Sequence, residues 1–416
     1  MLSYLIRNPR GIPAVVALAG CTAAAYAQVP TPGFRLGTEL STAYDSNVSL
    51  LPAGPVTAGN QVAAGSQIDT ARVLAEFDRG YDRENVIASA DIGRVVYRAL
   101  PTYDYTSQNL RLFLKSELPA QIEAQVEALH SVQLANQASL EQVANGNVVA
   151  GGRPNTITTD TEKGQISIPL FAYEWRGLLR ANASRYRNSD AIDKPGNLDM
   201  IGADAGVRYI TGKENFVDLL ARVDHGRYPE GALTPALDTS YNDRWLDLQT
   251  QWRVSGSSIV RGHIGYEQRR NGHLGFLDFS GAIYDMTYNW TPTPKTYMSF
   301  LVLRSLGVPQ YVGYQSATTH TYSQTTGYRP TEKISVEAHY KWSQINYAAD
   351  VQSLASGLAA TSSRVDEIQN YGLEASWTPY DWLTFRLTGS HERRGANVAG
   401  FDYTDHIGRL AVRALF

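Results

Sequence analysis

From Ile334 to Trp342 the chain reads Ile-Ser-Val-Glu-Ala-His-Tyr-Lys-Trp, with every first member apolar or aromatic and every second one polar. Successive side chains of a β-strand point to opposite faces, so a period of two means a strand with one greasy and one wet side. The pattern recurs along the chain. Leu383, Phe385 and Leu387 alternate with Thr384, Arg386 and Thr388, and Leu246, Leu248, Thr250 and Trp252 lie opposite Asp247, Gln249, Gln251 and Arg253. Val217, Leu219, Ala221 and Val223 alternate with Asp218, Leu220, Arg222 and Asp224, where Leu220 is the one lapse. Alternation sustained from Gly33 onward restricts the chain to an all-β fold.

A secreted β-sandwich alternates as well, and three features favour a membrane barrel over it. Segments of about 10 to 16 residues exceed the usual strand of about five or six and suit a tilted bilayer crossing. Full charges stand along the polar face, as a water-filled lumen allows. The third feature is the parity of the linkers. Strands are expected near 34–45, 69–79, 85–99, 104–117, 121–134, 159–170, 174–187, 197–210, 215–228, 240–254, 258–270, 278–291, 295–307, 318–329, 333–347, 364–378, 382–394 and 402–416, which makes 18. The long linkers, 46–68, 135–158, 188–196, 229–239, 308–317 and 348–363, all follow odd-numbered strands, and even-numbered strands end in tight turns. Long loops on one rim and short periplasmic turns on the other belong to a transmembrane antiparallel up-and-down β-barrel. The segment 121–134 is the ambiguous one, since Ile122, Val126 and Leu129 also fit a helix face, and Ala138 to Val143 reads as a loop helix.

Composition agrees. No stretch of about 18 apolar residues follows the first 30 residues, which excludes a bundle of membrane-spanning helices. Tyr outnumbers Phe by 25 to 11, as suits a membrane-water interface. Trp290-Thr291-Pro292, Tyr328-Arg329-Pro330 and Trp377-Thr378-Pro379 each close a descending strand, and Tyr209 and Trp252 hold the equivalent place before Gly-containing turns. These aromatics and Phe416 read as a periplasmic girdle, with Pro ending the ladder behind them. In the last strand Gly408, Leu410, Val412, Ala414 and Phe416 share one face, opposite Arg409, Ala411 and Arg413, so that strand is expected to close the barrel against the first. An alternating strand ending in Phe resembles the insertion signal of bacterial outer-membrane barrels, with Ala414 where an aromatic is common.

The N-terminus reads as an export signal: basic Arg7 and Arg10, an apolar run from Ile12 to Ala19, and Ala25-Tyr26-Ala27 before Gln28. The expected organisation is a signal peptide over 1–27, a short periplasmic segment over 28–33 and the barrel over 34–416. Leu18-Ala19-Gly20-Cys21 also matches a lipobox, so lipidation of Cys21 stands as the rival processing. With no second Cys there is no disulfide. Without Arg7 and Arg10 the balance is 35 basic against 40 acidic residues, which gives no reason to expect nucleic-acid binding.

Tyr44-Asp45-Ser46-Asn47 at the end of the first strand, with the signal peptide, the Arg- and Tyr-rich hairpins and Phe416, resembles the β-barrel porin family of exopolysaccharide gene clusters, called EpsL-like. The resemblance implies an integral outer-membrane protein that helps pass a secreted polysaccharide to the cell surface, with no catalytic residues. A plainer reading of Asp45 and Asn47 is that they turn the chain out of the strand.

Phosphate loops, Cys clusters, His pairs at metal spacing and nucleophile elbows are absent from the sequence, so neither enzymatic activity nor a cofactor is expected. His263 and His339 fall on polar faces, where lining a lumen is the expected role. The same faces carry Arg176, Arg180, Arg222, Arg253, Arg261, Arg386, Arg409 and Arg413, and the acids Asp218, Asp224, Asp247, Glu267 and Glu337. Either these charges pair across strands and keep the lumen wet, or an excess of arginine forms a track for a carboxylate-bearing polymer. Sugars would also need an inward ring, for which Tyr186 is the candidate. An 18-strand barrel leaves an aqueous channel, so three functions follow: exopolysaccharide export with periplasmic export machinery as partner, general small-solute diffusion, and a structural barrel whose loops contact other envelope proteins.

Overall fold

A computed structural model describes residues 33–51, 65–135, 141–144, 147–150, 154–171, 174–211, 215–230, 240–272, 275, 278–307, 314–349 and 363–416. The export signal, Cys21 and most of the long linkers lie outside them. The strands are β1 (Gly33–Asp45), β2 (Ser66–Tyr81), β3 (Glu84–Tyr97), β4 (Tyr105–Leu118), β5 (Ile122–Leu134), β6 (Glu141–Ala144), β7 (Asn147–Ala150), β8 (Thr156–Pro169), β9 (Trp175–Asn188) and β10 (Leu198–Ile210). They continue as β11 (Phe216–Arg227), β12 (Tyr241–Ser255), β13 (Ser258–Asn271), β14 (Phe279–Thr293), β15 (Thr296–Gly307), β16 (Tyr314–Thr331), β17 (Ile334–Ala349), β18 (Arg364–Tyr380), β19 (Leu383–Ala396) and β20 (Tyr403–Leu415).

All but β6 and β7 join one 18-stranded sheet, each strand antiparallel to its neighbours, and β20 returns to β1. The sheet therefore closes with the expected 18 strands and leaves no edge. The ambiguous fifth segment is a strand, paired with β4 on one side and β8 on the other. Of the expected loop helix, residues 141–144 are instead the first arm of a hairpin with β7, and 138–140 lie outside the described residues.

Alternation assigns the two walls. Leu40, Val73, Leu112, Val126, Leu179, Ile201, Leu219, Leu246, Ile264, Met286, Val302, Val336, Leu373, Leu387 and Leu410 all point out and are exposed, so the large apolar side chains coat the outside. A strand of about 13 residues, at about 3.3 Å per residue and tilted by about 40°, covers about 33 Å along the membrane normal. That exceeds the apolar band of about 25 Å, so strand ends project into the headgroup layers.

The proline turns behave differently from the expectation. Thr291, Arg329 and Thr378 still donate their N–H groups, each at 2.8 Å, to the carbonyls of Ser257, Lys295 and Lys333. The register then slips past Pro292, Pro330 and Pro379, and pairing resumes at Thr293–Thr296, Thr331–Ile334 and Tyr380–Leu383. Proline has no N–H to give, so it occupies a bulge and does not end the ladder. Its carbonyl is used instead: Lys295 Nζ donates to Pro330 at 3.0 Å and Lys333 Nζ to Pro379 at 2.8 Å.

The seam is held at both ends. At the short-turn rim Leu36 and Phe416 exchange main-chain hydrogen bonds, and a Cβ on Gly37 would lie 2.2 Å from the Ala414 carbonyl oxygen, so only glycine admits this approach. At the long-loop rim the Tyr44-Asp45-Ser46-Asn47 motif does more than turn the chain. Ser46 Oγ and the Asn47 N–H donate to Asp405 Oδ1 at 2.9 and 3.1 Å, and Asn47 Nδ2 donates to the carbonyls of Leu51 and Thr404 at 2.8 and 3.2 Å. The motif latches the first strand to the last.

Candidate functional site

The inner wall has two unlike flanks. On β8 to β13 the inward charges are packed. Asp218 is fully buried and accepts from Arg208 Nε at 2.7 Å, Arg208 Nη2 at 2.8 Å and Arg180 Nη2 at 3.1 Å. Arg180 Nε donates in turn to Gln165 at 2.9 Å, and Arg222 pairs with Asp224 at 2.6 Å. Arg269 grips Asp243 through Nε at 2.7 Å and Nη2 at 2.5 Å while its guanidinium lies 3.5 Å from the centre of the Tyr241 ring. Arg176 is spent on Ser167 Oγ at 2.6 Å and the Gln121 carbonyl at 2.7 Å. Buried charges are tolerated only when compensated, and each of these meets an opposite charge or a hydrogen-bond partner. Leu178 and Leu220, both 1% exposed, share this wall, which explains the lapse in alternation at Leu220.

On the opposite flank, from β18 through β20 to β3, the inward charges between mid-barrel and the short-turn rim are wetter, whereas Arg364, Asp366 and Arg394 form a buried cluster at the long-loop ends of β18 and β19. Arg386 pairs with Glu374 at 3.1 Å with the two side chains 41% and 34% exposed, against 14% and 0% for Arg180 and Asp218. Arg409 pairs with Glu39 at 2.7 Å, Arg35 with Glu76 at 2.6 Å and Arg72 with Asp91 at 3.3 Å, and Arg413 also reaches Glu76. Five arginines and five carboxylates, Asp78 beside Glu76 included, make one continuous strip. At its short-turn end a recess opens beside Trp382, Thr384, Arg386, Arg413 and Glu39.

The expected lumen residues thus face inward but are not one site. Arg176, Arg180, Arg222, Asp218, Asp224, Asp247 and Glu267 belong to the packed flank, and Arg386, Arg409 and Arg413 to the wet one. Arg261 donates to Gln251 at 2.7 Å, and Arg253 sits exposed at the short-turn rim. Glu337 accepts from the Tyr297 hydroxyl. His263 contacts Asp285, and His339 Nε2 lies 3.2 Å from Asn370 Oδ1, each in a pair within the wall. Tyr186 is inward but buried among Ala135, Ile157, Leu198 and Tyr241, so its ring is closed to a sugar. Sequence reasoning missed Arg208, Asp204, Asp243 and Arg269 on the packed flank and Arg35, Arg72, Glu39, Glu76 and Asp91 on the wet one; the parity of β1 and β2 was the signal for most of those on the wet flank.

Outside, Tyr209, Trp252, Trp290, Tyr328, Trp377 and Phe416 all stand exposed at the short-turn ends of descending strands. Tyr380, Trp382 and Phe416 extend this row as a stack, with ring centres 5.7 and 5.1 Å apart.

No family model matches the chain, and no curated protein matches it. Among solved structures it is similar to OccK2 (OpdF) of Pseudomonas aeruginosa, at 10% identity over 92% of this chain and 97% of that one, with a TM-score of 0.48. OccK1 (OpdK) of the same organism gives 10% identity, 92% and 98% coverage and a TM-score of 0.47. A BenF-like porin from Pseudomonas fluorescens Pf-5 gives 9%, 92%, 99% and 0.47. On its own geometry, a closed ladder with an apolar outer wall and a charged inner wall, the chain is a porin-like outer-membrane β-barrel.

Proposed function

We propose that the protein is a diffusion porin for small polar solutes, which pass along the wet strip between β18 and β3. The carrying observation is the contrast in exposure between the Arg386–Glu374 pair and the sheathed Arg180–Asp218 pair. Charges of both signs facing water, in near balance, suit solvated ions and small hydrophilic molecules. In this reading residues 1–27 are the export signal and 28–33 the periplasmic lead into β1. No catalytic step is involved.

Conductance in planar bilayers and swelling of proteoliposomes in sugars of increasing size test this directly. Graded permeation with a size cut-off supports it, and an ion-tight barrel leaves only a structural role. Export of an exopolysaccharide, which the sequence resemblance implies, is the second reading. The five arginines of the wet strip favour it, as guanidinium binds carboxylates in pairs. Against it, Tyr186 is packed away and Tyr44-Asp45-Ser46-Asn47 is used in the seam. Normal polysaccharide secretion by a deletion strain removes that reading and leaves the diffusion porin standing.

A further inference from the structure

The outer wall of β9 to β13 carries a patch of arginines that permeation does not need. Arg185 and Arg187 on β9, Arg227 on β11, Arg244 on β12 and Arg270 on β13 have outward parity and lie at the long-loop ends of their strands, with His225 among them. They are neighbours on the ladder: Asp199 pairs in register with both Arg185 and Arg227, Val223 with Arg244, and Asn242 with both His225 and Arg270. Three carboxylates, Asp199, Asp278 and Asp160, the last in register with Arg185, stand against five guanidinium groups. Asp199 serves Arg187 and, at 3.4 Å, Arg227, while Asp278 serves Arg270 at 3.0 Å. On the flank Asp160 is held by His130 at 2.7 Å. Arg227 and Arg270 remain 64% and 63% exposed despite their partners, and among the described residues Arg185 and Arg244 have no ion pair.

Directly below, on the same face, stand Leu179, Ile201, Val223, Leu246, Ile264 and Tyr266, all exposed to the acyl layer. A molecule that fits both levels has apolar chains and an anionic head. Long-loop ends face outward in such barrels, so the patch meets the external headgroup layer. Guanidinium forks match phosphate oxygens two at a time, and basic clusters at a headgroup layer attract anionic lipid. We propose that the long-loop end of the β9–β13 outer wall is a binding surface for the phosphorylated headgroup of an outer-leaflet lipid. The surface lies outside the lumen, so it is independent of which solute the pore conducts.

The test uses the full-length barrel in neutral detergent, with diphosphorylated lipid A as probe and its dephosphorylated form as comparison, read by native mass spectrometry. Wild type is expected to retain the phosphorylated probe. The joint variant Arg185→Gln, Arg227→Gln, Arg244→Gln and Arg270→Gln is expected to bind it at least tenfold more weakly. Arg79→Gln, on the outer wall at the short-turn end of β2, is expected to bind as wild type. If the glutamine variant does not fold, lysine at the same four positions keeps the charge without the fork, and weaker retention there supports the assignment. Equal binding by the folded glutamine variant, by the lysine variant or of the dephosphorylated lipid overturns it.

Discussion

Leu36 and Phe416 exchange both main-chain hydrogen bonds, at 3.0 and 2.9 Å, so the last residue of the chain completes the seam that β20 forms with β1. The Phe416 ring meanwhile stacks on Trp382 at 5.1 Å. Phe416→Ala keeps the backbone pair and removes the stack, which is worth about 0.5–1.5 kcal/mol. Urea unfolding in phospholipid vesicles is expected to show a loss of that size, and an unchanged midpoint contradicts a role for the ring.

The packed and wet flanks respond differently to loss of an acid. Asp218→Ala strands Arg208 and Arg180 in a buried setting and is expected to cost about 3–5 kcal/mol. Glu374→Ala releases Arg386 into water and costs about 1 kcal/mol or less. Paired unfolding curves measure the difference, and similar losses at both sites would mean that the flanks do not differ as described.

Ion selectivity localises the path. Replacing Arg386, Arg409 and Arg413 by Gln is expected to move the reversal potential in a salt gradient towards cations. Arg176→Gln with Arg180→Gln is expected to move it far less, because those side chains are already committed to Ser167, Gln165 and Asp218. An equal shift from both sets contradicts a one-sided path.

Asn47→Ala removes the bonds to Leu51 and Thr404 at a buried position. The expected cost is about 1–3 kcal/mol, confined to the long-loop end of the seam. Hydrogen exchange is expected to speed up at Thr404 to Ile407 and not at Val412 to Leu415.

Asp278, in the connection between β13 and β14, has a pH-dependent anchor. Burial works to raise its carboxyl, but bonds from the Asn271 main chain, Arg270 and the Asn271 side chain outweigh it and hold the group below the ordinary carboxylate range. A depressed value stabilises the ionised form, so the anchor is intact above the ordinary carboxylate pKa and lost as pH falls through the lowered one. Protection of the Asn271 amide, which donates to Asp278 at 2.7 Å, is expected to persist at pH 5 and to fade only in stronger acid.

Strand number, parity and closure were legible because alternation and linker length are local properties. Chemistry on the wall was legible only in direction. Arg269 and Arg270 are adjacent and identical in type, yet one is buried against Asp243 and the other is 63% exposed on the outer wall. Only the register of β13 distinguishes them. In β10 the small residues Gly202, Ala203, Ala205 and Gly206 blur the alternation around Asp204, which hid Arg208 as well. Arg180 and Arg386 look alike in sequence, and the difference between sheathed and wet arises from neighbours brought in by other strands. The proline turns were read as stops because a missing donor is visible in sequence, whereas the lysine of the adjacent turn that takes up the proline carbonyl is a tertiary partner.

The sheathed flank also divides the labour of the inner wall. In the proposed reading the aqueous strip lies against one wall of the barrel, between β18 and β3, and not along its axis. On that proposal, substitutions at Arg386, Arg409 and Arg413 retune what passes without disturbing the ion-pair core around Asp218. Divergence in cargo and persistence of the shell are thereby uncoupled.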